Sequence, residues 1–342
     1  MKKLVICFLL SLLLFPALEA KGPDAWKKQV MAQTSVVEYP CKFDNTRQRA
    51  VCVFAKGGEA RPLLVVLHTW GGSSRQDCSR YAAYCLKNNW NMIFPEFRGP
   101  NKNPLACGSD AVVSDIADAV AYMKKQAKVD HDRVYLIGGS GGGHAALLMA
   151  GRHPELWTAV SAWCPISDIA AWHNECEKSK RGYFRHIRMV CGGNPAVDKA
   201  AALEAEKRSP LTWIGGASRC VVDINAGIHD GHTGSVPVSH TLHVYNRLAS
   251  PESKIPQEDI DFIVQQRKIP AKYGKPEADP GYGRKTVLLR KRSNLVRMTI
   301  FEGGHDLLPA PGMEWLSRQH RKKAPDWSRG RAADPGAFEL AK

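Results

Sequence analysis

The chain reads as an α/β fold, with a mostly parallel central sheet and helices on both faces. Three stretches predict it. Leu63-Leu64-Val65-Val66-Leu67 is an unbroken apolar run of strand length, the pattern of a strand covered on both faces. Ala111 to Lys128 places Val113, Ile116, Ala117, Val120 and Met123 on one side of a helix, spaced to pack against a sheet. Arg133 to Ile137 then forms a short apolar strand, and Gly138-Gly139-Ser140-Gly141-Gly142 separates it from the Ala/Leu-rich helix that opens at Gly143. Strand, helix and strand in that order make a right-handed crossover.

The 342 residues, 44% of them hydrophobic, suffice for one large core with short appendages. We divide the chain into 1–20, 21–62, a main domain over 63–320 with insertions at 166–214 and 256–283, and a basic tail over 321–342. Residues 1–20 have the form of a secretory signal: Lys2 and Lys3, an apolar segment from Leu4 to Phe15, and a cleavage region from Pro16 to Ala20. That segment is short of the roughly 20 apolar residues of a spanning helix. The expectation is a secreted or periplasmic protein without a stable membrane anchor. Nine cysteines follow the leader, from Cys41 to Cys220, and an oxidising compartment permits disulfides among them. Cys41 with Cys52 and Cys176 with Cys191 are two possible pairs, and the odd count leaves at least one thiol free.

The net charge of +15 is spread along the chain, densest over Gly281–Ile300, where Arg284, Lys285, Arg290, Lys291, Arg292 and Arg297 meet no acidic residue. No nucleic-acid motif accompanies the run, and no nucleic-acid partner is expected. The run reads as a solvated face or exposed hairpin; attraction to an acidic polymer or a membrane surface is the sharper alternative.

In chain order, edge strands are expected at Tyr39–Phe43 and Ala50–Phe54, a core strand at Leu63–Leu67, a helix at Asp77–Lys87 and a strand at Asn91–Pro95. The helix from Ala111 leads into the Ser140 turn, and Thr158–Trp163 and Cys220–Ala226 are further strands. The first insertion carries Trp172, Tyr183, Phe184 and Arg188 and suits a lid above the strand ends. Leu295–Phe301 is the last strand, followed by a brief helix at Met313–Arg318.

Strand, Gly-x-Ser-x-Gly and helix form the nucleophile elbow of the α/β-hydrolases, which lifts the Ser140 hydroxyl clear of the sheet. A serine needs a base and an orienting carboxylate. Asp230 stands on the loop after the strand ending at Ala226, with Asp223 inside that strand as the weaker candidate. His305 stands in Glu302-Gly303-Gly304-His305, the loop leaving the last strand. His68-Thr69-Trp70-Gly71-Gly72 follows the first core strand, where this fold places the second backbone N–H of its oxyanion hole, and Thr69 or Trp70 is the donor. His144, one turn into the elbow helix, reads as packed. His229, His232, His240 and His243 do not read as a metal site, because their one nearby carboxylate, Asp230, has a better role.

These blocks resemble the catalytic domain of the prolyl-oligopeptidase family. The resemblance rests on Gly138–Gly142, Gly227-Ile228-His229-Asp230 with Val236-Pro237, and Glu302-Gly303-Gly304-His305. Phe97-Arg98-Gly99, Arg208-Ser209-Pro210 and Ser167-Asp168 support it, over about Leu63 to Leu316. It implies an α/β-hydrolase with Ser140 as nucleophile, Asp230 as orienting acid and His305 as base. It also implies an oxyanion hole from the Gly141 N–H and that of Thr69 or Trp70. From the residues themselves, neither a cofactor nor a metal is expected. The family's acid stands closer to the following Val-Pro than Asp230 does here, where Thr233 intervenes. Its peptidases carry a β-propeller ahead of the hydrolase domain; here about forty residues separate the expected cleavage site from Leu63, scarcely one blade of ~40–45 residues. Single-domain relatives of this kind are often esterases. The expected activity is therefore hydrolysis of a small-molecule or polymer ester, an extracellular polysaccharide being one such polymer. A peptidase or amidase is the alternative, and a non-catalytic binding protein on the same scaffold is the third reading.

Overall fold

The computed structural model describes residues 24–330 apart from position 218. The expected signal over 1–20, with Cys7, and the last part of the basic tail lie outside the described residues. Nine described strands form one sheet: β1 (Ser35–Pro40), β2 (Arg47–Val53), β3 (Arg61–Leu67), β4 (Asn91–Pro95), β5 (Val129–Gly139), β6 (Ala159–Trp163), β7 (Val221–Gly227), β8 (Val287–Ser293) and β9 (Val296–Phe301). Their order is β1-β2-β4-β3-β5-β6-β7-β9-β8. The strands from β4 through β9 in that order pair parallel, and antiparallel pairs close both edges.

β3 shows why the apolar run is continuous. Leu63, Val65 and Leu67 enter the core on one face, and Leu64 and Val66 enter the core on the other. Eleven α-helices are described: α1 (Ala25–Met31), α2 (Ser79–Asn88), α3 (Asp110–Gln126), α4 (Gly141–Arg152), α5 (Ile169–Lys178), α6 (Tyr183–Cys191), α7 (Lys199–Lys207), α8 (Pro210–Trp213), α9 (Ser239–Leu248), α10 (Gln257–Gln266) and α11 (Pro309–Ser317). α3, α4, α9 and α10 pack on one face of the sheet, and α1, α2 and α11 on the other. α3 starts where the Ser109 side chain accepts the Val112 N–H, with Asp110 in its first turn and Lys124 and Lys125 in its last; each placement favours the helix. The first insertion folds into α5 to α8. Residues of α5, α6 and α7 form a third apolar cluster with Trp70 and Val236.

Three expectations are corrected. The first edge strand ends at Pro40 instead of Phe43, because Asn45 turns left-handed (φ 57°) and the Asp44 carboxylate accepts the Thr46 N–H. All nine described cysteines are buried free thiols, so no disulfide joins them. Cys41 hydrogen-bonds Thr46 beside the turn while Cys52 faces Ser35 at the hairpin's open end. That separation, roughly 20 Å of strand, is far beyond disulfide reach. Cys176 and Cys191 share the third cluster as thiols, and burial raises the pKa of Cys176 to about 12 and that of Cys191 to about 11. Finally, the basic run forms the β8–β9 edge hairpin with Arg284 and Arg292 exposed, but half of its basic residues are not free in solvent. Arg290 pairs with Glu277 and Asp279, Lys285 with Asp306, and buried Arg297 with Asp223, so its partners come from distant parts of the chain.

Candidate active site

The chain passes from β3 to β4 on one side of β3, while β5 lies on the other. Such a reversal of strand order opens a crevice at the carboxyl ends of the strands. The loops after β3, β5, β6, β7 and β9 all leave the sheet at this rim.

Ser140 occupies the tightest of these turns. It sits between β5 and α4 at φ 57° and ψ −120°, a strained conformation for a residue with a side chain. Its N–H donates to the Trp163 carbonyl at 2.8 Å, which ties the turn to the end of β6. A Cβ at Gly138 would stand 2.2 Å from the Gly142 carbonyl oxygen, so the flanking glycines are a steric requirement of the turn.

Asp230 and His305 meet at 2.7 Å, through Oδ2 and Nδ1. The other carboxylate oxygen accepts the Gly231 and Val236 N–H groups at 2.9 and 3.2 Å. The Val236 contact fixes the carboxylate despite the residues that separate Asp230 from Val-Pro. Assigning the proton to Nδ1, which faces the carboxylate, leaves Nε2 to accept the serine proton. Asp230 is 1% exposed, whereas the His305 side chain is 23% exposed. The histidine loop packs on the serine turn: a Cβ at Gly139 would collide with Leu307 at 2.6 Å, and Cys164, next to Trp163, donates to the Asp306 carbonyl at 3.5 Å. Ser140 makes no direct hydrogen bond to His305. In resting hydrolases this contact is often loose and tightens when substrate binds.

The structure separates the two oxyanion candidates. The Thr69 N–H donates to Gln76 Oε1 at 3.0 Å, and the Thr69 hydroxyl donates to the same oxygen at 2.9 Å. The Trp70 N–H has no such partner among the described residues, and a Cβ on Gly141 would stand 2.5 Å from both N and Cα of Trp70. The Trp70 amide and that of Gly141, at the open N-terminus of α4, therefore border the same space. His68 braces this loop: it stacks on Phe97 at 3.8 Å, and its two ring nitrogens lie 2.9 and 2.8 Å from the Thr69 and Glu96 carbonyls.

An aromatic wall closes the crevice from above. Trp172 meets Trp70 edge-on at 4.7 Å and stacks on Tyr183 at 5.1 Å. Its indole N–H donates to the Ser235 carbonyl at 2.7 Å, and that of Trp70 donates to His186 at 3.3 Å. The insertion thereby links the oxyanion loop to the acid loop. Sequence reasoning missed Gln76, His186 and Ser235, because nothing local marks them.

The remaining candidates lie elsewhere. Asp223 is buried in β7 against Arg297 at 2.7 Å. His144 is packed, donating from Nε2 to the Arg208 carbonyl at 2.7 Å, and burial lowers its pKa to about 4. His229 pairs with Glu302, His232 bonds the Val264 carbonyl, and His240 lies between Ser167 and Glu175.

A parallel sheet carrying a serine elbow after β5, an acid after β7 and a histidine after β9 defines the α/β-hydrolase fold. Residues 108–260 match the prolyl oligopeptidase family, and the chain has an α/β-hydrolase fold similar to that family's catalytic domain. It is 27% identical over 135 residues to acylamino-acid-releasing enzyme 1 of Oryza sativa subsp. japonica, a match covering 35% of this chain and 17% of that protein. It is 31% identical over 129 residues to a Nocardia uniformis subsp. tsuyamanensis protein named as a candidate esterase, NocK; the match covers 34% of this chain and 38% of the relative. The acylaminoacyl peptidase of Pyrococcus horikoshii superposes with a TM-score of 0.57 at 13% identity, covering 89% of this chain and 45% of that one. The chain thus spans less than half the length of each of these relatives. Among the described residues every strand belongs to the one sheet, and no propeller blade is present.

Proposed function

We propose that the chain is a serine hydrolase that cleaves carboxylic esters through an acyl-enzyme. The 2.7 Å contact between Asp230 and His305, at the rim that holds the strained Ser140 turn, carries this reading. His305 Nε2 takes the Ser140 proton as Oγ attacks the carbonyl carbon. The carbonyl oxygen gains the negative charge facing the Trp70 and Gly141 amides. Collapse breaks the ester bond, and the proton passes from Nε2 to the leaving alcohol. A water, deprotonated by the same nitrogen, attacks the acyl-serine; the acid leaves and Ser140 regains its proton. No metal or cofactor enters this cycle.

The leader over 1–20 supports export, and the positive charge supports an acidic polymer such as an esterified extracellular polysaccharide as substrate. A peptidase or amidase is the second reading, favoured by the resemblance to acylamino-acid-releasing enzymes. The test is turnover of acyl-nitrophenyl esters and of peptide anilides by the wild type and by Ser140→Ala, with fluorophosphonate labelling. Ester turnover well above anilide turnover, lost with Ser140 along with the label, is the expected result. The reverse ratio selects the peptidase, and unchanged turnover in Ser140→Ala refutes both.

A further inference from the structure

We propose that Cys164, Asp230 and His305 form an inhibitory binding site for a soft or borderline divalent cation, with zinc as the representative ion. Cys164 is the residue immediately beyond β6. It is held left-handed (φ 45°), with its N–H bonded to the Asn225 carbonyl at 2.7 Å. This conformation turns its thiol away from the sheet interior and into the catalytic rim. One ligand atom each from Cys164, Asp230 and His305 lies within 4.8 Å of the other two. Tetrahedral zinc, with bonds of about 2.0–2.3 Å, needs ligand atoms roughly 3.3–3.7 Å apart, so small side-chain rotations complete the site. Sulfur, nitrogen and oxygen donors together suit zinc or cadmium better than magnesium or calcium. A thiolate and a carboxylate also balance the two charges of the ion. Burial and the neighbouring Asp230 charge raise the thiol pKa well above normal, so the cation must displace the thiol proton as it binds.

The consequence follows from proton accounting. The cation takes Nδ1, the proton there passes to Nε2, and the thiol proton goes to solvent. His305 stays neutral, but Nε2 now carries a proton and has no lone pair for the Ser140 hydroxyl. Hydrolysis stops while the ion is bound and returns when a chelator removes it. Inhibition rests on the serine-hydrolase reading; binding does not.

The experiment therefore has two arms on the full chain. Cadmium titration, followed by the ultraviolet thiolate-to-cadmium charge-transfer band, reads binding directly. Zinc titration of ester hydrolysis reads inhibition. The expected result is one equivalent of band lost in Cys164→Ala and Cys164→Ser but retained in Cys176→Ala, a control at a buried thiol in the lid. The zinc concentration for half-inhibition should rise at least about tenfold in both Cys164 variants, the least that loss of even an outer-shell partner costs a metal site. A band of equal size in the wild type and both Cys164 variants, or none in the wild type, overturns the site. Half-inhibition within threefold of wild type in both variants overturns the mechanism. A chain that binds cadmium through Cys164 but hydrolyses nothing supports the site and refutes the hydrolase reading alone.

Discussion

Placing one methyl group at Gly141 tests the oxyanion geometry with little disturbance elsewhere. The backbone of Gly141 is helical and lies outside the positive-φ set, so alanine suits its conformation and is the better helix former by up to about 1 kcal/mol. The difficulty lies across the crevice. The new Cβ would stand 2.5 Å from N and Cα of Trp70 and 3.1 Å from the Thr69 carbonyl carbon. Carbon–carbon contacts settle near 3.5–4.0 Å, so the helix start and the loop must separate by about 1 Å. Neither side yields easily. Gln76 holds Thr69, and the Asn101 N–H holds the Trp70 carbonyl at 2.9 Å. A donor displaced by about 1 Å from hydrogen-bond distance no longer counts as one, and loss of one oxyanion donor costs roughly 10²–10³ in kcat. The ground-state carbonyl gains little from the hole, so KM should stay nearly constant. Steady-state kinetics on a nitrophenyl ester, alongside thermal melts, give the measurement. A Gly141→Ala enzyme with unchanged Tm and kcat within threefold of wild type would show that the Trp70 and Gly141 amides do not form the hole.

Asp230→Asn should lower kcat about 10⁴-fold at constant fold stability, because an amide can present its NH₂ to Nδ1 and favour the wrong tautomer; pre-steady-state and steady-state ester kinetics check it. Buried His144, bonded to the Arg208 carbonyl, makes stability depend on pH. The folded pKa is about 4, below the unfolded value near 6.5, so the unfolded chain binds more protons between them. The stabilisation is complete above about pH 6.5 and falls by roughly 3 kcal/mol as pH drops toward 4. Urea midpoints across that window should fall less steeply in His144→Gln. Asp223→Ala leaves Arg297 buried without its 2.7 Å partner and should cost about 3–5 kcal/mol in equilibrium unfolding.

The parts of this molecule legible in its sequence are those whose causes are local. β4 spans the expected residues, and α3 begins one residue before expectation, because apolar periodicity and an N-cap act over a few positions. The serine elbow is legible because Gly138 and Gly142 answer a clash within the same turn. Ambiguity enters wherever the deciding partner is distant. Thr69 and Trp70 are equivalent in sequence until Gln76 folds back and takes the Thr69 N–H. Arg290 and Arg297 look solvated until Asp279 and Asp223 arrive from other segments. The disulfide expectation failed similarly: a polar turn between two cysteines predicts a hairpin, but not that register sends Cys41 and Cys52 to opposite ends of it.

Cys164 shows the limit most sharply, since its neighbours come from the loops after β7 and β9, 66 and 141 positions away along the chain. A buried thiol after an apolar strand reads as packing. Only convergence of three strand ends sets it beside a carboxylate and an imidazole. The same convergence that sets Asp230 against His305 thus brings Cys164 beside them, and a fold that assembles the proposed catalytic pair from distant residues brings the proposed cation site within its reach.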